Sequence, residues 1–379
     1  MLLNRHKNSV ISSWWWTVDH LTLLVLFIII AFSAVMVATA SPAVAERIGV
    51  ESFYFVRRQL CYLALSLVII FIISCLSTNV IKLFCVCGFA FCILSLIIVL
   101  FNGIEIKGAK RWLYIAGLSV QPSEFVKPFF AVLTGWILSL RYKYHKFPSF
   151  RLALLLYLPL ILLIISQPDF GMVVVISFVW MGQLFLAGLS LAFVISCIIL
   201  LIAGLLLAYM FLPHVAHRIN SFMDPSSNNS YQIKKSIEAF INGGLYGKGP
   251  GEGTVKQLLP DSHTDFIFAV IGEELGIITC IIVVLLFGFI VIRSFIRLSN
   301  ENNVFVIFAT VGLLMQFGIQ SIINIGVTLH LFPTKGMTLP FISYGGSSMI
   351  AVAMTVGMIL AMTRRRYGMI KIGSKEYIL

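Results

Sequence analysis

Long apolar runs recur along the whole chain, and short polar segments separate them. Within each run the apolar residues are continuous rather than alternating, which favours helices over the strands of a membrane barrel. A helix needs about 20 mostly apolar residues to cross the hydrocarbon core of a bilayer. The pattern predicts ten such spans, at residues 21–40, 59–77, 81–101, 123–140, 150–166, 170–187, 189–211, 266–292, 303–331 and 341–362.

Two of these boundaries divide apolar stretches that are too long for one span. Residues 170–211 are divided near Gly188, and residues 150–187 are divided at Pro168. The predicted fold is an all-α polytopic membrane protein of about ten transmembrane helices, with one long extracytoplasmic loop, 212–264, between spans 7 and 8. A cytoplasmic N-terminal segment, the ten-helix membrane domain and a basic cytoplasmic tail then occupy residues 1–20, 21–362 and 363–379.

The composition supports this interpretation. Hydrophobic residues make up 59% of the 379 residues and charged residues only 11%, whereas soluble domains keep roughly a quarter of their residues charged. The seven cysteines all lie in apolar stretches, which is typical of buried thiols rather than of a disulfide framework. The net charge of +12 does not indicate nucleic-acid binding, because basic residues at inner helix ends follow from membrane orientation and anionic lipid.

The charges also predict an orientation. Of the 27 basic residues, 14 fall on the side of the two termini, and five of the other 13 lie in the long loop, which counts less for topology. Both termini are therefore predicted to be cytoplasmic. Twelve of the fifteen acidic residues fall on the opposite, outer side, so that side is predicted to carry a charge-paired site.

Glu124 and Lys127 open the fourth span. Gln121 is predicted to be an N-cap and Pro122 the first helical residue, so Glu124 has one interpretation as a first-turn acid. The other interpretation is a functional pair with Lys127, because an ionisable pair in a membrane span is a site candidate. Arg111 and Trp112, just upstream, are either part of the same site or an interfacial anchor.

Two further polar segments follow. In the string QPDFG, which begins at Gln167, Asp169 has interpretations as a helix cap and as a site residue. The long loop carries Arg218, Tyr231, Gln232 and a glycine-rich run, 243–253, that lacks the Ser or Thr of a Walker loop after its lysine. The run remains either a flexible hinge or a backbone nest for a lipid pyrophosphate.

The next span begins with HTDFIFAVIGEELG, at His263. Residues 262–265 fit a capping box, which is one interpretation of Asp265. Capping does not explain Glu273 and its neighbour Glu274, because a charge at the centre of a span costs about 3 kcal/mol on insertion scales. These acids must face water, a cation or a partner.

The last span is preceded by Pro333 and opens with the string LPFISYGGSS, at Leu339. Its hydroxyl and small residues would allow close helix approach. Lys335, between the proline and this string, is positioned to neutralise an anionic head group.

Taken together, these strings resemble the SEDS family (shape, elongation, division and sporulation). GAKRW, QPSE, QPDFG, RxxxFxDP, YQxxxS, the glycine run, HTDFIFAVIGEELG and LPFISYGGSS occur in the family's order, from about residue 20 to 366. The segment 53–60 and the string PTKG, at Pro333, are more similar to the division member than to the elongation member.

The resemblance implies a peptidoglycan glycosyltransferase that polymerises lipid II at the division septum, with Asp265 as general base on the acceptor hydroxyl. The residues predicted to bind substrate are Lys107, Arg111, Trp112, Glu124, Lys127, Gln167, Asp169, Arg218, Tyr231, Gln232, His263, Thr264, Glu273, Lys335, Ser343 and Tyr344. No metal ligands are assigned, and no cofactor is assigned beyond Mg²⁺ or Mn²⁺ as a candidate to help hold the pyrophosphate.

The implied partners are lipid II, a class B penicillin-binding transpeptidase such as FtsI, other membrane proteins of the division complex and membrane lipid. The implied location is the bacterial inner membrane at the septum. Two alternatives stay open: a flippase for the same lipid precursor and a non-catalytic division scaffold. The clustering of polar strings on the outer side favours the enzyme, because a flippase needs a path that also reaches the inner side.

Overall fold

The computed structural model describes residues 10–106, 109–115, 117–211, 215–216, 220, 222–223, 231–333 and 336–364. Over these residues the chain is almost entirely helical, with one small antiparallel sheet. The helices are α1 (Val10–Thr17), α2 (His20–Ile48), α3 (Tyr54–Cys75), α4 (Thr78–Asn102), α5 (Pro122–Lys143), α6 (Ser149–Ser166), α7 (Phe170–Leu186), α8 (Leu191–Phe211), α9 (Tyr231–Gly243), α10 (Ile267–Leu298), α11 (Val304–Thr328) and α12 (Gly346–Met362). The strands are β1 (Ile104–Ile106), β2 (Ala109–Ile115) and β3 (Leu118–Val120).

Each predicted span coincides with one of these helices, which confirms the all-α polytopic fold. In the described part of the chain eight helices are long and apolar enough to cross a membrane, and α7 and α12 are shorter apolar helices of 17 residues each. Four predicted boundaries differ by five or more residues: α2 ends at Ile48 rather than at residue 40, α3 begins at Tyr54 rather than at 59, α10 ends at Leu298 rather than at 292, and the last span begins at Gly346 rather than at 341. Residues 341–345 form a turn instead, with Phe341 at a φ of +61°.

The centre of the bundle is formed by α5, α11 and α12. In the most apolar part of α5, 72% of residues are buried, against 28% in α4 and α6, which therefore lie at the periphery. A Cβ atom at Gly135 of α5 would lie 2.6 Å from the backbone nitrogen of Ala309 in α11, so the glycine permits close packing of the two backbones. The side-chain nitrogen of Gln183 in α7 donates to carbonyls of both α5 and α11, at Ala131 and Phe308, which satisfies this buried donor in the apolar interior.

The two ends of the bundle differ. We name the end that carries Asp265 the outer end and the end that carries Asp19 the inner end. At the inner end Asp19 is 3% exposed and accepts hydrogen bonds from Thr22, from Arg293 at 3.0 Å and from Arg297 at 2.9 Å. This cluster joins the start of α2 to the last turns of α10.

The outer end contains two elements that the sequence did not predict. The sheet β1-β2-β3 fills the connection between α4 and α5, and α9 lies within the segment predicted only as a long loop. The sheet is joined to α12 through Ser347, whose hydroxyl accepts from the amide of Gln121 and donates to the carbonyl of Ser119. α9 buries Ile233, Ser236 and Ala239 along one face.

Helix α10 is broken at Gly276, which has a φ of +80°. The chain after Gly243 enters this break, because the amide of Ile277 donates to the carbonyl of Gly244 at 3.0 Å. A Cβ atom at Gly276 would lie 2.2 Å from the carbonyl oxygen of Leu245, so both the dihedral angle and the space require glycine here. The break separates an outer segment that carries Glu273 and Glu274 from an unbroken inner segment.

Candidate functional site

Asp265 lies in a compact turn that immediately precedes α10. The carbonyl of Asp261 accepts hydrogen bonds from the amides of Thr264 and Phe266, which close the turn. Helix α10 begins at Ile267 with Phe266 at its N-cap position and has no side-chain cap. The hydroxyl of Ser262 has no hydrogen-bond partner within the described part of the protein, so the capping box predicted at 262–265 is wrong. Asp265 itself is half-buried.

Three successive carbonyl groups hold this turn in place. The carbonyl of His263 accepts from the amide of Tyr344 at 2.9 Å, and that of Thr264 accepts from the hydroxyl of Ser343 at 2.6 Å. The carbonyl of Asp265 accepts from the side-chain amide of Asn324 at 2.9 Å. The backbone of the Asp265 turn is thus fixed from two directions, by α11 and by the segment before α12.

The segment before α12 also approaches the carboxylate of Asp265. A Cβ atom at Gly336 would lie 2.9 Å from Asp265 Oδ2, so a larger residue would press against the carboxylate. Asn324 additionally donates to the carbonyl of Met337 at 2.5 Å, which fixes this segment and the Asp265 turn to the same side chain. The sequence predicted Ser343 and Tyr344 as substrate-binding residues, and the structure places both against the Asp265 turn. Their binding role stays a prediction.

A chain of polar side chains leads from α5 to this segment. Lys127 Nζ lies 2.8 Å from Glu124 Oε2 and donates to Gln320 Oε1 at 2.8 Å. The amide of Gln320 donates in turn to the carbonyl of Thr338 at 3.1 Å. Lys127 is 2% exposed and Glu124 7%, so the pair is buried and its charges have protein partners. Their position at the outer end agrees with a site, but the structure gives them a positioning role rather than an open binding surface.

His263 lies among aromatic rings on the other side of the turn. Its ring centroid is 4.6 Å from that of Phe55 and 5.3 Å from that of Tyr344. Burial lowers the pKa of His263 to about 4, the charge of Arg47 lowers it further and Asp261 acts in the opposite direction. His263 is therefore neutral at physiological pH, and its buried Nδ1 has no hydrogen-bond partner within the described part of the protein.

Arg58 stands at the edge of this cluster. Its guanidinium lies 4.9 Å from the ring centroid of Tyr54, and it forms a side-chain hydrogen bond with Tyr344. Burial raises the pKa of Tyr344 above its ordinary value, although the bond from Arg58 acts in the opposite direction. Arg58 is exposed, so it brings a positive charge and aromatic faces together beside the Asp265 turn.

The three residues that follow the glycine-rich run, 254–256, form a backbone nest around Glu273. The carboxylate of Glu273 accepts from the amides of Thr254, Val255 and Lys256 at 2.7–2.9 Å, and from the side chain of Asn242 at 2.9 Å. Glu273 is fully buried. The predicted substrate-binding role of Glu273 is thus not what the structure shows: the anion in this backbone nest is the protein's own carboxylate.

Glu274 completes this arrangement with Lys256. The two side chains form a buried ion pair, and Lys256 Nζ also donates to the carbonyls of Gly251 at 2.8 Å and of Thr39 in α2 at 3.0 Å. Both acids within the span therefore have protein partners, so neither needs to face water or a cation. They hold the glycine-rich run against α10.

The turn between α6 and α7 carries two of the predicted residues, Gln167 and Asp169, and contacts a third, Arg111 of β2. Asp169 caps α7 by accepting from the amide of Met172 at 3.2 Å, which confirms the capping interpretation. Gln167 is buried and donates to the carbonyl of Leu96 in α4. Arg111 donates to the carbonyls of Gln167 and Pro168 and lies 3.7 Å from Asp169, so its guanidinium fixes this turn to β2.

The remaining predicted residues are less constrained. Trp112 is half-buried in β2, and Tyr231 and Gln232 occupy the first turn of α9, where Tyr231 is exposed. Lys107, Arg218 and Lys335 lie outside the described residues. The described part of the chain has no group of three or more His, Cys, Asp or Glu side chains that could hold a metal ion. The candidate divalent cation stays a prediction.

Sequence reasoning missed four residues that the structure places at the site: Arg58, Gln320, Asn324 and Thr338. Gln320 and Asn324 are four residues apart and so lie on one face of α11. Two amide side chains at that spacing inside an apolar span were the available signal, because such groups are expensive in lipid unless they have partners.

The comparisons with known proteins agree with this geometry. Residues 19–368 match the family model described as cell cycle protein, FtsW/RodA/SpoVE. The protein of Caulobacter vibrioides named probable peptidoglycan glycosyltransferase FtsW is 38% identical over 96% of this chain and 94% of its own length. The protein of the same name from Coxiella burnetii is 35% identical over 93% of this chain and 97% of its own length.

Two solved structures share the fold. A chain from a peptidoglycan synthase complex, described as coordinating polymerization and crosslinking, superposes with a TM-score of 0.76, 25% identity and coverage of 92% of this chain and 98% of its own length. An aspartate-to-alanine variant of the Thermus thermophilus rod shape determining protein RodA gives a TM-score of 0.68 with the same identity and coverage. The family match covers all ten apolar helices and the Asp265 turn, and the chain therefore belongs to the FtsW/RodA/SpoVE family.

Proposed function

We propose that this protein, a multi-pass inner membrane peptidoglycan glycosyltransferase by its family and relatives, polymerises lipid II with Asp265 as the general base. The observation that carries the proposal is the Asp265 turn. A half-buried carboxylate stands at the outer end of the bundle on a backbone that three successive carbonyl contacts hold in place. General base catalysis requires a carboxylate that is positioned in this way rather than on a mobile loop.

The reaction accounts for each bond and proton. The acceptor sugar's hydroxyl oxygen forms a bond with the anomeric carbon of the donor sugar, and the bond from that carbon to the lipid pyrophosphate breaks. The pyrophosphate leaves with the electron pair, and Asp265 takes the hydroxyl proton. A carboxylate within hydrogen-bond reach of that hydroxyl typically contributes a factor of about 10²–10⁴ to the rate.

The neutral and cationic neighbours of Asp265 suit a sugar and its pyrophosphate. Tyr344 is half-buried beside the turn and packs against the buried rings of Phe55 and His263, and Arg58 adds a positive charge that a departing pyrophosphate needs. Lys335 and Arg218 remain the predicted partners of the pyrophosphate.

An apolar cavity beside the outer end supports a lipid-linked substrate. It measures about 440 Å³, within the range of ligand pockets, and lies between α6, α7 and α8. Phe170, which follows Asp169 at the outer end, and Gly204 in α8 both line it. The stacked rings of Tyr157 and Trp180, 4.2 Å apart, form part of its wall. A polyprenyl chain entering from the bilayer would meet apolar surface here.

The proposed setting is the division septum, with both termini in the cytoplasm and a class B penicillin-binding transpeptidase such as FtsI as partner. The similarity to a chain from a peptidoglycan synthase complex supports a partner of this kind, because that complex couples polymerization to crosslinking. The orientation can be tested with single cysteines, one placed before α1 and one in the glycine-rich run, that are labelled with a membrane-impermeant reagent. Only the cysteine in the glycine-rich run is expected to react in intact spheroplasts.

Asp265→Asn tests the base assignment most directly. The purified chain and its transpeptidase partner are given lipid II in detergent, and the glycan products are separated by gel electrophoresis. We expect polymerisation to fall at least about 100-fold, because an amide does not accept the proton. Unchanged glycan formation by the Asn variant would overturn the base assignment.

Asp261→Asn is the matched control, because it removes one carboxylate from the same turn, and asparagine tolerates the φ of +55° at this position. It should keep most of the activity. If instead the wild-type chain forms no glycan while liposomes containing it move a labelled lipid precursor across the bilayer, the flippase alternative replaces the enzyme. Loss of polymerisation with intact folding and partner binding excludes the scaffold.

A further inference from the structure

A cavity of about 310 Å³ lies at the inner end, where the turn after α5 leads into α6. It is far from the Asp265 turn, at the opposite end of α5 from Glu124 and Lys127. Arg141, His145, Lys146 and Arg151 line it, and none of its described lining residues is acidic. A cavity with several basic groups and no internal counter-ion is suited to an anion.

The start of α6 adds two features that point to the same ligand. Ser149 is the first residue of this 18-residue helix, and the preceding Pro148 provides no side-chain cap. A helix N-terminus presents backbone amides and the positive end of its dipole to an anion. Ser149 also lines the cavity and is 1% exposed, and its buried hydroxyl has no hydrogen-bond partner within the described part of the protein. A buried hydroxyl without a partner is rare and needs an explanation, which a bound oxyanion supplies.

The basic side chains around Ser149 are held in place or exposed. The guanidinium of Arg141 lies 4.7 Å from the ring centroid of Phe150, so one of its faces is fixed and its donors remain available. Lys146 and Arg151 are exposed. The arrangement combines a guanidinium, a hydroxyl and a helix terminus, which is typical of phosphate sites.

The surroundings indicate a lipid phosphate rather than a soluble one. Tyr142 and Tyr144 flank the cavity and are 56% and 53% exposed, as expected of residues at a membrane interface. Further along α6, Leu155 and Leu158 are 66% and 48% exposed, which provides an apolar track for acyl chains directly beyond the basic cavity. We propose that the start of α6 binds the head group of an anionic phospholipid from the inner leaflet, with its acyl chains along this leucine face.

Native mass spectrometry of the full-length chain in detergent tests the proposal, with phosphatidylglycerol and phosphatidylcholine as probes. We expect phosphatidylglycerol to bind at least about tenfold more tightly than phosphatidylcholine, because its head group is anionic and each basic residue near an anionic head group contributes a factor of up to about five. The triple variant Arg141→Gln, Lys146→Gln, Arg151→Gln should lose this preference. Ser149→Ala, which changes no charge, should weaken phosphatidylglycerol binding about threefold to fivefold.

The matched control removes three exposed basic residues from the outer end: Arg57→Gln, Lys110→Gln, Lys248→Gln. It should leave the preference for phosphatidylglycerol intact. Equal binding of the two lipids by the wild-type chain, or an equal loss in both triple variants, would show that net charge rather than this site governs binding and would overturn the proposal. Competition by glycerol phosphate at concentrations that match the lipid would also overturn it, because the ligand would then be a soluble anion.

Discussion

The outer and inner ends of the bundle treat charged residues in different ways. At the outer end Glu273, Glu274 and Lys256 are all buried, and each has protein partners across different elements. At the inner end the basic residues around the start of α6 are exposed. Among the ion pairs of the described residues, those of Asp19 with Arg293 and Arg297 connect two helices at this end. Exposed charged residues are sufficient to set the orientation of a membrane protein in the bilayer. A buried charged residue with several hydrogen-bond partners also holds the backbone of the elements that carry those partners in place. The outer end therefore combines polar groups into a rigid frame around the Asp265 turn.

The largest expected effect is on the break in α10. Gly276→Ala places a Cβ atom 2.2 Å from the carbonyl of Leu245, in a residue with a φ of +80°. Strain of this kind and overpacking each cost about 1–3 kcal/mol, so we expect a loss of about 3–5 kcal/mol in the free energy of unfolding. Thermal unfolding in detergent and the yield of folded protein measure it.

Gly288→Ala in the inner segment of the same helix is the control. No atom lies within 4 Å of a Cβ atom placed there, and alanine is favoured over glycine within a helix. The substitution should be neutral or stabilise the protein by up to about 1 kcal/mol. Equal melting temperatures for the two variants would show that the outer end is no more constrained than the inner end.

The second effect concerns the nest around Glu273. Glu273→Gln turns an acceptor of four hydrogen bonds into a group with one amide donor facing backbone amides. We expect a loss of about 2–4 kcal/mol in stability, faster proteolysis within 244–258 and a polymerisation rate reduced more than the folded fraction. Glu252→Gln, at an exposed position in the same run, should change neither quantity. Normal proteolytic resistance in the Glu273 variant would contradict the proposed role of the carboxylate.

The inner cluster should affect stability but not catalysis. Burial alone would raise the pKa of Asp19, but Arg293, Thr22 and Arg297 outweigh it and keep the pKa below its usual value. Asp19→Asn removes the charge that holds two arginines and should cost about 2–3 kcal/mol of unfolding free energy. Polymerisation per folded molecule should stay within about twofold of wild type, since Asp19 lies at the opposite end from the proposed chemistry. A large loss of specific activity would show that the two ends are coupled.

The smallest expected effect is a pH dependence from His263. Its pKa of about 4 in the folded chain lies below the ordinary value of 6.5, so only the unfolded chain binds a proton between these values. Stability from this group is therefore present above pH 6.5 and is lost as the pH falls toward 4. From pH 7 to pH 5 the loss should be about 2 kcal/mol.

His263→Phe removes the titrating group and retains an aromatic ring beside Phe55 and Tyr344. Urea unfolding at pH 7 and pH 5 should show a smaller decrease in stability for the variant than for wild type. An identical decrease in both proteins would indicate that His263 is protonated in the folded state.

The ten spans were predictable because the length and hydrophobicity of an apolar run are sufficient to indicate a membrane span, and both can be read without knowledge of the rest of the chain. The cap at Asp169 and the first helical position of Pro122 were also predictable, because helix-start preferences depend on the residues next to the helix. The break at Gly276 was not, because its cause is the carbonyl of Leu245, which arrives from the glycine-rich run. α9 and the sheet were missed because their apolar faces are short and half-exposed, which a span-length pattern does not detect.

The sequence by itself determined the membrane fold, the family and the position of Asp265 just before a span, because these depend on local hydrophobicity and on motif order. It also limited the possible surroundings of Glu273 and Glu274 to water, a cation or a protein partner, because a charge in a span must be compensated. Only the tertiary structure decided that Glu273 is bound by the protein's own amides and that Lys127 donates to Gln320 as well as pairing with its neighbour Glu124. The amides around Glu273 lie 17 to 19 residues from it and Gln320 lies 193 residues from Lys127, and no pattern along the chain encodes these contacts.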